Sequence, residues 1–447
     1  MRTIQYTPNK YNDLLCNYLE KYQDTKKVIP INIRDIVSDY KSSDYYSHLI
    51  HPYPAKLLMH IPRFFLENTI LTKENDLVLD PFCGSGTVLL ESLLCKRDTI
   101  GVDSNPLARL ISNVKTTHVN EAVIKDTLNQ LIIDVKPLKT SYHNVTNIDY
   151  WYSENVKYEL QGILEQINKL DNSVVKNFFL VCFSKCAGKL SYSDPRISVP
   201  VKLNSNKKQI TTESRNKIIK QIEFIDSLNV KDTFIKIVNE NSQRINTIVD
   251  IQNKSKLTGD NSLKMSIQNP LCKGTAQMII TSPPYVGAQK YIRASSISLG
   301  WLGYLENERL TNLKDNSIGR EFYKKNEYTE FIKTEIHEAN IVLKKIRDKN
   351  PLRAHISANY LNEMSISIKE MKKMLKPGGY LVLVSGNNTV SGIDFMTSEY
   401  LKTLVESNGL ICLLELKDDI RSRGLMTRRN RTANIISSET IHIFKKA

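Results

Sequence analysis

Leu77-Val78-Leu79-Asp80 is a short apolar run, and Pro81-Phe82-Cys83-Gly84-Ser85-Gly86-Thr87 follows it without a break. Val88 to Leu94 then reads as the start of an apolar helix. Strand, glycine turn and helix in that order is the context in which a glycine motif carries meaning. Gly84 and Gly86 let backbone approach a ligand where a Cβ would clash. One helix length later comes a second strand-like run, Thr99-Ile100-Gly101-Val102-Asp103, and it ends in an acid. In nucleotide-type α/β folds an acid at that place takes the ribose hydroxyls. An ordinary βαβ turn with a surface Asp is the competing reading, and the joint pattern weighs against it.

A second loop carries more specific chemistry. Ala276, Met278, Ile279 and Ile280, interrupted only by Gln277, read as a short buried strand, and Thr281-Ser282-Pro283-Pro284-Tyr285 follows. Prolines lock φ and give up N–H donors, so this loop offers rigid carbonyl acceptors. Tyr285 can stack on a flat ring while Ser282 and a proline carbonyl accept from its amine. Enzymes that modify a base of duplex DNA extrude it into a pocket of this kind. A plain strand-terminating turn would also account for Pro-Pro.

Asp80 to Thr87 together with Thr281 to Tyr285 resemble the cofactor and catalytic motifs of S-adenosylmethionine-dependent amino-group DNA methyltransferases. The likeness covers the chain from about residue 50 to its end, with unmatched stretches between. His51-Pro52-Tyr53-Pro54-Ala55-Lys56 resembles the family's segment that closes over the methionine part of the cofactor. Asp103 matches its ribose-binding acid, Asp260 stands where a polar residue lies near the adenine, and Leu375-Lys376-Pro377-Gly378-Gly379-Tyr380 resembles a later element leading into a strand. The resemblance implies a Rossmann-like class I methyltransferase sheet with S-adenosyl-L-methionine as cofactor. Tyr53, Lys56, Asp80, Phe82, Gly84, Gly86, Thr87, Asp103 and Asp260 would bind that cofactor, and Ser282, Pro283, Pro284 and Tyr285 would be catalytic. It also implies cytosine N4 as the acceptor, because Ser opens the catalytic motif where adenine enzymes more often carry Asp or Asn. Adenine N6 is the nearest alternative. An RNA amine methyltransferase and a catalytically dead DNA-binding protein are further ones.

The remaining residues suggest how DNA is held. Net charge is +15 over 447 residues, a balance that favours a polyanionic partner, although a generic lysine-rich protein would share it. Residues 1–45 read as an N-terminal polar segment with one short helix at Tyr11 to Tyr22. Residues 46–118 and 258–447 form the expected catalytic domain. Between them, 119–257 carries no cofactor signal. It shows helical periodicity at Leu160 to Leu170, Val174 to Leu190 and Arg215 to Ile248, which makes it a helical insertion and a candidate target-recognition region. Val286 to Tyr360, rich in Arg, Lys and Tyr, is a second candidate. Arg421, Arg423, Arg428, Arg429 and Arg431 fall between the apolar strands Leu410 to Leu416 and Thr440 to Phe444, as a hairpin suited to DNA phosphates. The expected partner is double-stranded DNA, with a cognate restriction endonuclease as a candidate separate protein.

Several classes are disfavoured. No apolar run reaches membrane-spanning length, and Met1 to Lys10 lacks a signal core, so a cytoplasmic protein is expected. The seven cysteines are irregularly spaced and read as reduced thiols, with Cys182 and Cys186 on one face of a core helix and no metal site. Cytosine-C5 chemistry needs a cysteine nucleophile after a proline, and no Pro-Cys dipeptide occurs. Asp394 with Glu415-Leu416-Lys417 imitates the spacing of metal-dependent nucleases, but falls where the methyltransferase sheet is expected.

Overall fold

The computed structural model describes residues 9–38, 45–54, 56–139, 144–207, 210–249, 251–286, 291–305, 310–315, 317–320, 322–420 and 437–447. Its strands are β1 (Ile29–Ile31), β2 (Leu77–Asp80), β3 (Asp98–Val102), β4 (Ser255–Gly259), β5 (Ala276–Thr281), β6 (Leu375–Ser385), β7 (Asn388–Val390), β8 (Ile393–Phe395), β9 (Leu410–Asp419) and β10 (Ser438–Lys446). Eight of them make one sheet in the order β1-β9-β10-β6-β5-β2-β3-β4, and β7 and β8 pair separately. Every neighbouring pair is parallel except the two that involve β10, which runs antiparallel to both β6 and β9. Strand order reverses beside β2, so the loops leaving β2 and β5 face each other at the topological switch point, where open α/β sheets bind ligands. This is the Rossmann-like methyltransferase sheet, with β1 added beside β9.

Alternation along the strands explains why both faces are covered. Leu79, Ile279, Leu381 and Leu383 enter one core with the helices His337–Lys349, Pro351–Met374 and Thr397–Ser407. Val78, Met278, Ile280, Val382 and Val384 enter the other, with the helices Asn9–Thr25 and His60–Leu66. Strands buried on both faces read as unbroken apolar runs, which is why β2 and β5 stand out in the sequence. The N-terminal segment is part of this fold: Tyr11, Leu15 and Tyr22 are core residues, and β1 pairs with β9 from Ile29↔Leu416 onward.

A third core is helical. The helices Glu121–Asp134, Glu154–Asn168, Ser173–Leu190 and Val230–Asn246 pack around Phe178, Phe179, Phe183 and Phe234. Cys182 and Cys186 lie within it. Asparagines set the helix starts: the side chain of Asn172 accepts from the N–H groups of Val174 and Val175, and that of Asn229 from Asp232. The Asn229 cap divides the stretch Arg215 to Ile248 into two helices, Thr212–Asp226 and Val230–Asn246. This core is shared with its surroundings. Leu107, Ile111 and Val114 of the helix Pro106–Lys115 belong to it, as do Leu299 and Trp301 from beyond the catalytic loop. β4 begins at Ser255, inside the span 119–257 set aside as insertion, because its polar residues give no apolar run.

Candidate active site

The glycine loop is held by its own backbone. Cys83 N–H donates to the Val102 carbonyl at 3.0 Å and Gly86 N–H to the Cys83 carbonyl at 2.7 Å. Gly84 and Gly86 have φ of +49° and +75°, left-handed values that disfavour side chains. A Cβ on Gly86 would stand 2.9 Å from Ser112 Oγ and 3.1 Å from its Cα, while one on Gly84 would fill the space under the Tyr53 ring, 3.5 Å away. Thr87 opens the helix Thr87–Leu94, which Gly86 caps. Phe82, half-buried, packs on the core below.

Asp103, just past β3, accepts from Gly84 N–H at 2.9 Å through Oδ2 and from Asn105 N–H at 2.8 Å through Oδ1. Each oxygen keeps a lone pair that a diol could use. Burial pushes its carboxyl up, against the pull of these N–H groups and of the Arg109 charge. Asn105 Nδ2 donates to the Tyr53 hydroxyl at 3.2 Å and to Ser295 Oγ at 3.1 Å, joining three segments at the mouth of the loop. Asn105 also caps the helix Pro106–Lys115. The Asn-Pro pair after Asp103 was a readable helix-start signal for it.

The segment before the loop is stapled to the helix Thr87–Leu94. Buried Glu91 accepts from the Tyr45 hydroxyl at 2.6 Å and from His48 Nε2 at 2.7 Å, with Arg63 Nη1 at 3.3 Å. Lys56 points back: its ammonium donates to the carbonyls of His48 at 3.0 Å and His51 at 3.2 Å. Burial, and then the Lys185 charge, lower it to about 8. His51 is lowered to about 3 by burial, so its neutral ring donates from Nδ1 to the Pro52 carbonyl and accepts at Nε2 from Ser184. Asp260 lies exposed just past β4 and accepts from Gln268 Nε2 at 2.8 Å.

The two loops meet at a buried hydrogen bond. Thr281 Oγ1 donates to Asp80 Oδ1 at 2.7 Å, and Phe82 N–H donates to the same oxygen at 3.1 Å. Burial pushes the Asp80 carboxyl up to about 7, although both bonds pull the other way. Beyond Thr281 the loop is tied by side chains far away in sequence. Tyr285 Oη donates to Glu439 Oε1 at 2.7 Å, and Asn388 Nδ2 donates to the Val286 carbonyl at 2.8 Å. Burial and the nearby Glu439 charge hold the Tyr285 phenol well above its ordinary value, so it is protonated. Neither Asn388 nor Glu439 carried a local signal in the sequence.

The arginines Arg421, Arg423, Arg428, Arg429 and Arg431 lie outside the described residues. Asp394 is exposed on β8, whereas Glu415 is tied inside the sheet to Tyr22, Lys402 and His442, so the nuclease-like spacing brings no acids together. Among the described residues no cluster of three or more metal-ligating side chains occurs, and no helix is long and apolar enough to cross a membrane.

The residues present fit S-adenosylmethionine: a glycine cradle that a Cβ would obstruct, an acid at the end of β3 with lone pairs to spare, and an aromatic ring across the loop. Sheet and loop thus define an S-adenosylmethionine-dependent methyltransferase. The family model described as DNA methylase (N6_N4_Mtase) matches residues 9–114. The chain is 25% identical over 408 residues to the Type II methyltransferase M.MvaI of Kocuria varians, covering 87% of each. It is 23% identical to the Type II methyltransferase M.MjaII of Methanocaldococcus jannaschii over 45% of this chain and 31% of that one. A solved S-adenosylmethionine-dependent methyltransferase from Methanosarcina mazei aligns over 85% of this chain and 95% of its own, at 11% identity and a TM-score of 0.30. In these matches the chain is similar to amino-group DNA methyltransferases.

Proposed function

We propose that the chain methylates the exocyclic N4 amine of cytosine in double-stranded DNA, at a base flipped into the space between the two loops. One observation carries the reading: the Ser282-Pro283-Pro284-Tyr285 loop leaves β5 beside the glycine loop, joined to it by the 2.7 Å bond from Thr281 to Asp80. S-adenosylmethionine supplies a methyl group already activated on a sulfonium, so the protein's task is to position the acceptor amine. That amine is a poor nucleophile because its lone pair is delocalised into the base. Accepting bonds from its two N–H groups to Ser282 Oγ and the Pro283 carbonyl favour a pyramidal nitrogen aimed at the methyl. Tyr285 clamps the ring. Positioning of this kind can supply several kcal/mol.

On the cofactor side, Gly84, Gly86 and Thr87 line the methionine end, Asp103 takes the ribose, and Asp260 and Phe82 lie toward the adenine. Asp80 ties the cofactor loop to the catalytic loop, and Tyr53 covers the site with Lys56 bracing the turn behind it. The assignment of cytosine rests on Ser282 standing at the head of the motif. The helical block 119–257 is the proposed reader of the target sequence, and the arginine run Arg421 to Arg431 the proposed phosphate contact. A separate restriction endonuclease of the same specificity would be its partner. Sequencing DNA from cells that express the chain tests this: N4-methylcytosine should appear in one sequence context and vanish with Tyr285→Ala. N6-methyladenine in its place would reassign the base.

A further inference from the structure

We infer that Lys185 and Asn241, on two helices of the block 119–257, are positioning residues for the cofactor: they hold the turn from which Tyr53 is laid over the glycine loop. The inference rests on the proposed cofactor placement, in which Tyr53 covers the site. The turn runs from His48 to Pro52, and each of its five carbonyls receives a side-chain donor. Lys56 Nζ donates to His48 at 3.0 Å and to His51 at 3.2 Å, and His51 Nδ1 donates to Pro52 at 2.6 Å. The two carbonyls between them are taken from far away in sequence. Lys185 Nζ donates to Leu49 at 3.1 Å, and Asn241 Nδ2 donates to Ile50 at 2.9 Å.

The helix Val230–Asn246 shows how unusual Asn241 is at its place. Phe234, Ile237, Val238 and Ile245 line the buried face at helical spacing and enter the helical core. Asn241 lies on that same face, fully buried, where packing alone favours an apolar residue. Its amide is satisfied at both ends. Nδ2 serves the Ile50 carbonyl, while Oδ1 accepts from Arg244 Nη1 at 2.9 Å and from Lys185 Nζ at 3.4 Å. Ser184, next to Lys185 on the helix Ser173–Leu190, gives its proton to His51 Nε2 at 2.9 Å. Buried polar groups satisfied in this way hold the backbone they bond in one arrangement.

Tyr53 follows the turn directly. Its ring packs against the same helical core and stands 3.5 Å from where a Cβ on Gly84 would lie. Its hydroxyl accepts from Asn105 Nδ2 at 3.2 Å. One side chain therefore touches the helical block and the glycine loop together. Removing the Asn241 donor leaves the Ile50 carbonyl unpaired in the core, a cost the turn relieves by shifting, and the ring shifts with it. The block proposed to read DNA is then also a support of the cofactor site.

Calorimetric titration of the purified, DNA-free protein with S-adenosylhomocysteine tests this. Asn241→Leu and Lys185→Met should each weaken binding, Asn241→Leu by about 10-fold, the size expected when one buried carbonyl loses its donor. Tyr53→Ala should weaken it too. Adding Asn241→Leu to Tyr53→Ala should cost nothing further, since both act through one ring. Asn172→Ala is the control for a merely structural role. It removes the cap of the helix that carries Lys185, roughly 20 Å along that helix, so it should lower the melting temperature and leave the affinity unchanged. Normal affinity in folded Asn241→Leu, or losses that add in the double variant, would overturn the inference. So would an equal loss in Asn172→Ala, because cofactor affinity would then only follow the stability of the block. Should Asn241→Leu not fold, Lys185→Met carries the same comparison. A wild-type protein that binds no S-adenosylhomocysteine would take the cofactor placement down, and the inference with it; a wild type that binds, with unaffected variants, would remove the inference alone.

Discussion

The two loops at the switch point are built on opposite principles. The glycine loop, Asp80 to Thr87, is donor-rich and self-supporting: its N–H groups find the Val102 and Cys83 carbonyls and the Asp103 carboxylate within a short stretch of chain. The catalytic loop, Thr281 to Val286, has two prolines and few donors. It hangs from side chains at Asp80, Asn388 and Glu439. A loop that must present carbonyls to a base amine cannot use those carbonyls, or the N–H groups its prolines lack, to hold itself. The cradle should therefore fail through backbone strain, and the catalytic loop through loss of distant supports.

The comparison breaks most sharply at the cradle. Gly84→Val places a branched side chain at φ +49° under the Tyr53 ring. We expect S-adenosylmethionine binding to fall by about 100-fold or more, roughly 3 kcal/mol, from strain and obstruction together. Calorimetry giving near-normal affinity in a folded variant would contradict that placement. Next comes Tyr285→Ala, which should cost roughly 1–3 kcal/mol of base stacking and a larger share of the rate, because an unclamped amine samples off-line geometries. Ser282→Ala should slow methylation and leave cofactor affinity nearly unchanged. Titration of cofactor and DNA separately checks both.

A smaller effect is expected at a support. Asn388→Ala removes the donor to the Val286 carbonyl and should cost about 1 kcal/mol, read as a several-fold lower kcat with unchanged cofactor affinity. An equal loss in cofactor affinity would mean that the loops are not independently held. The last effect lies at the bond between them and is read as a pH dependence. Asp80 is raised to about 7 by burial. The folded state then prefers the protonated acid, so stability is greatest below the ordinary carboxylate range and declines as pH rises toward 7. Thermal melts of Asp80→Asn should lack that decline, and parallel melting curves for the two proteins from pH 4 to 7 would contradict the assignment.

How much was legible follows the same division. β2 and β5 were readable because strands buried on both faces are continuous apolar runs, and the glycine loop because its constraints are local. β4 begins in Ser255 and Lys256 and β1 spans only Ile29–Ile31, so neither made a run. Three helical stretches of the middle block were found by periodicity, but the helix Glu121–Asp134 was not, nor the core they share with Leu107 and Trp301, since periodicity shows a buried face without showing what covers it. Tyr285 was readable, whereas Glu439 is 154 residues away and Val286 meets Asn388 across 102. A support chosen by folding leaves no mark near the motif it supports.

The most direct test of the account is mass spectrometry of nucleosides digested from duplex DNA that the purified chain has methylated with S-adenosylmethionine. N4-methylcytosine is the expected product, in wild type and in any residual activity of Ser282→Ala. N6-methyladenine as the sole product would overturn the base assignment and keep the loop chemistry; 5-methylcytosine would contradict both.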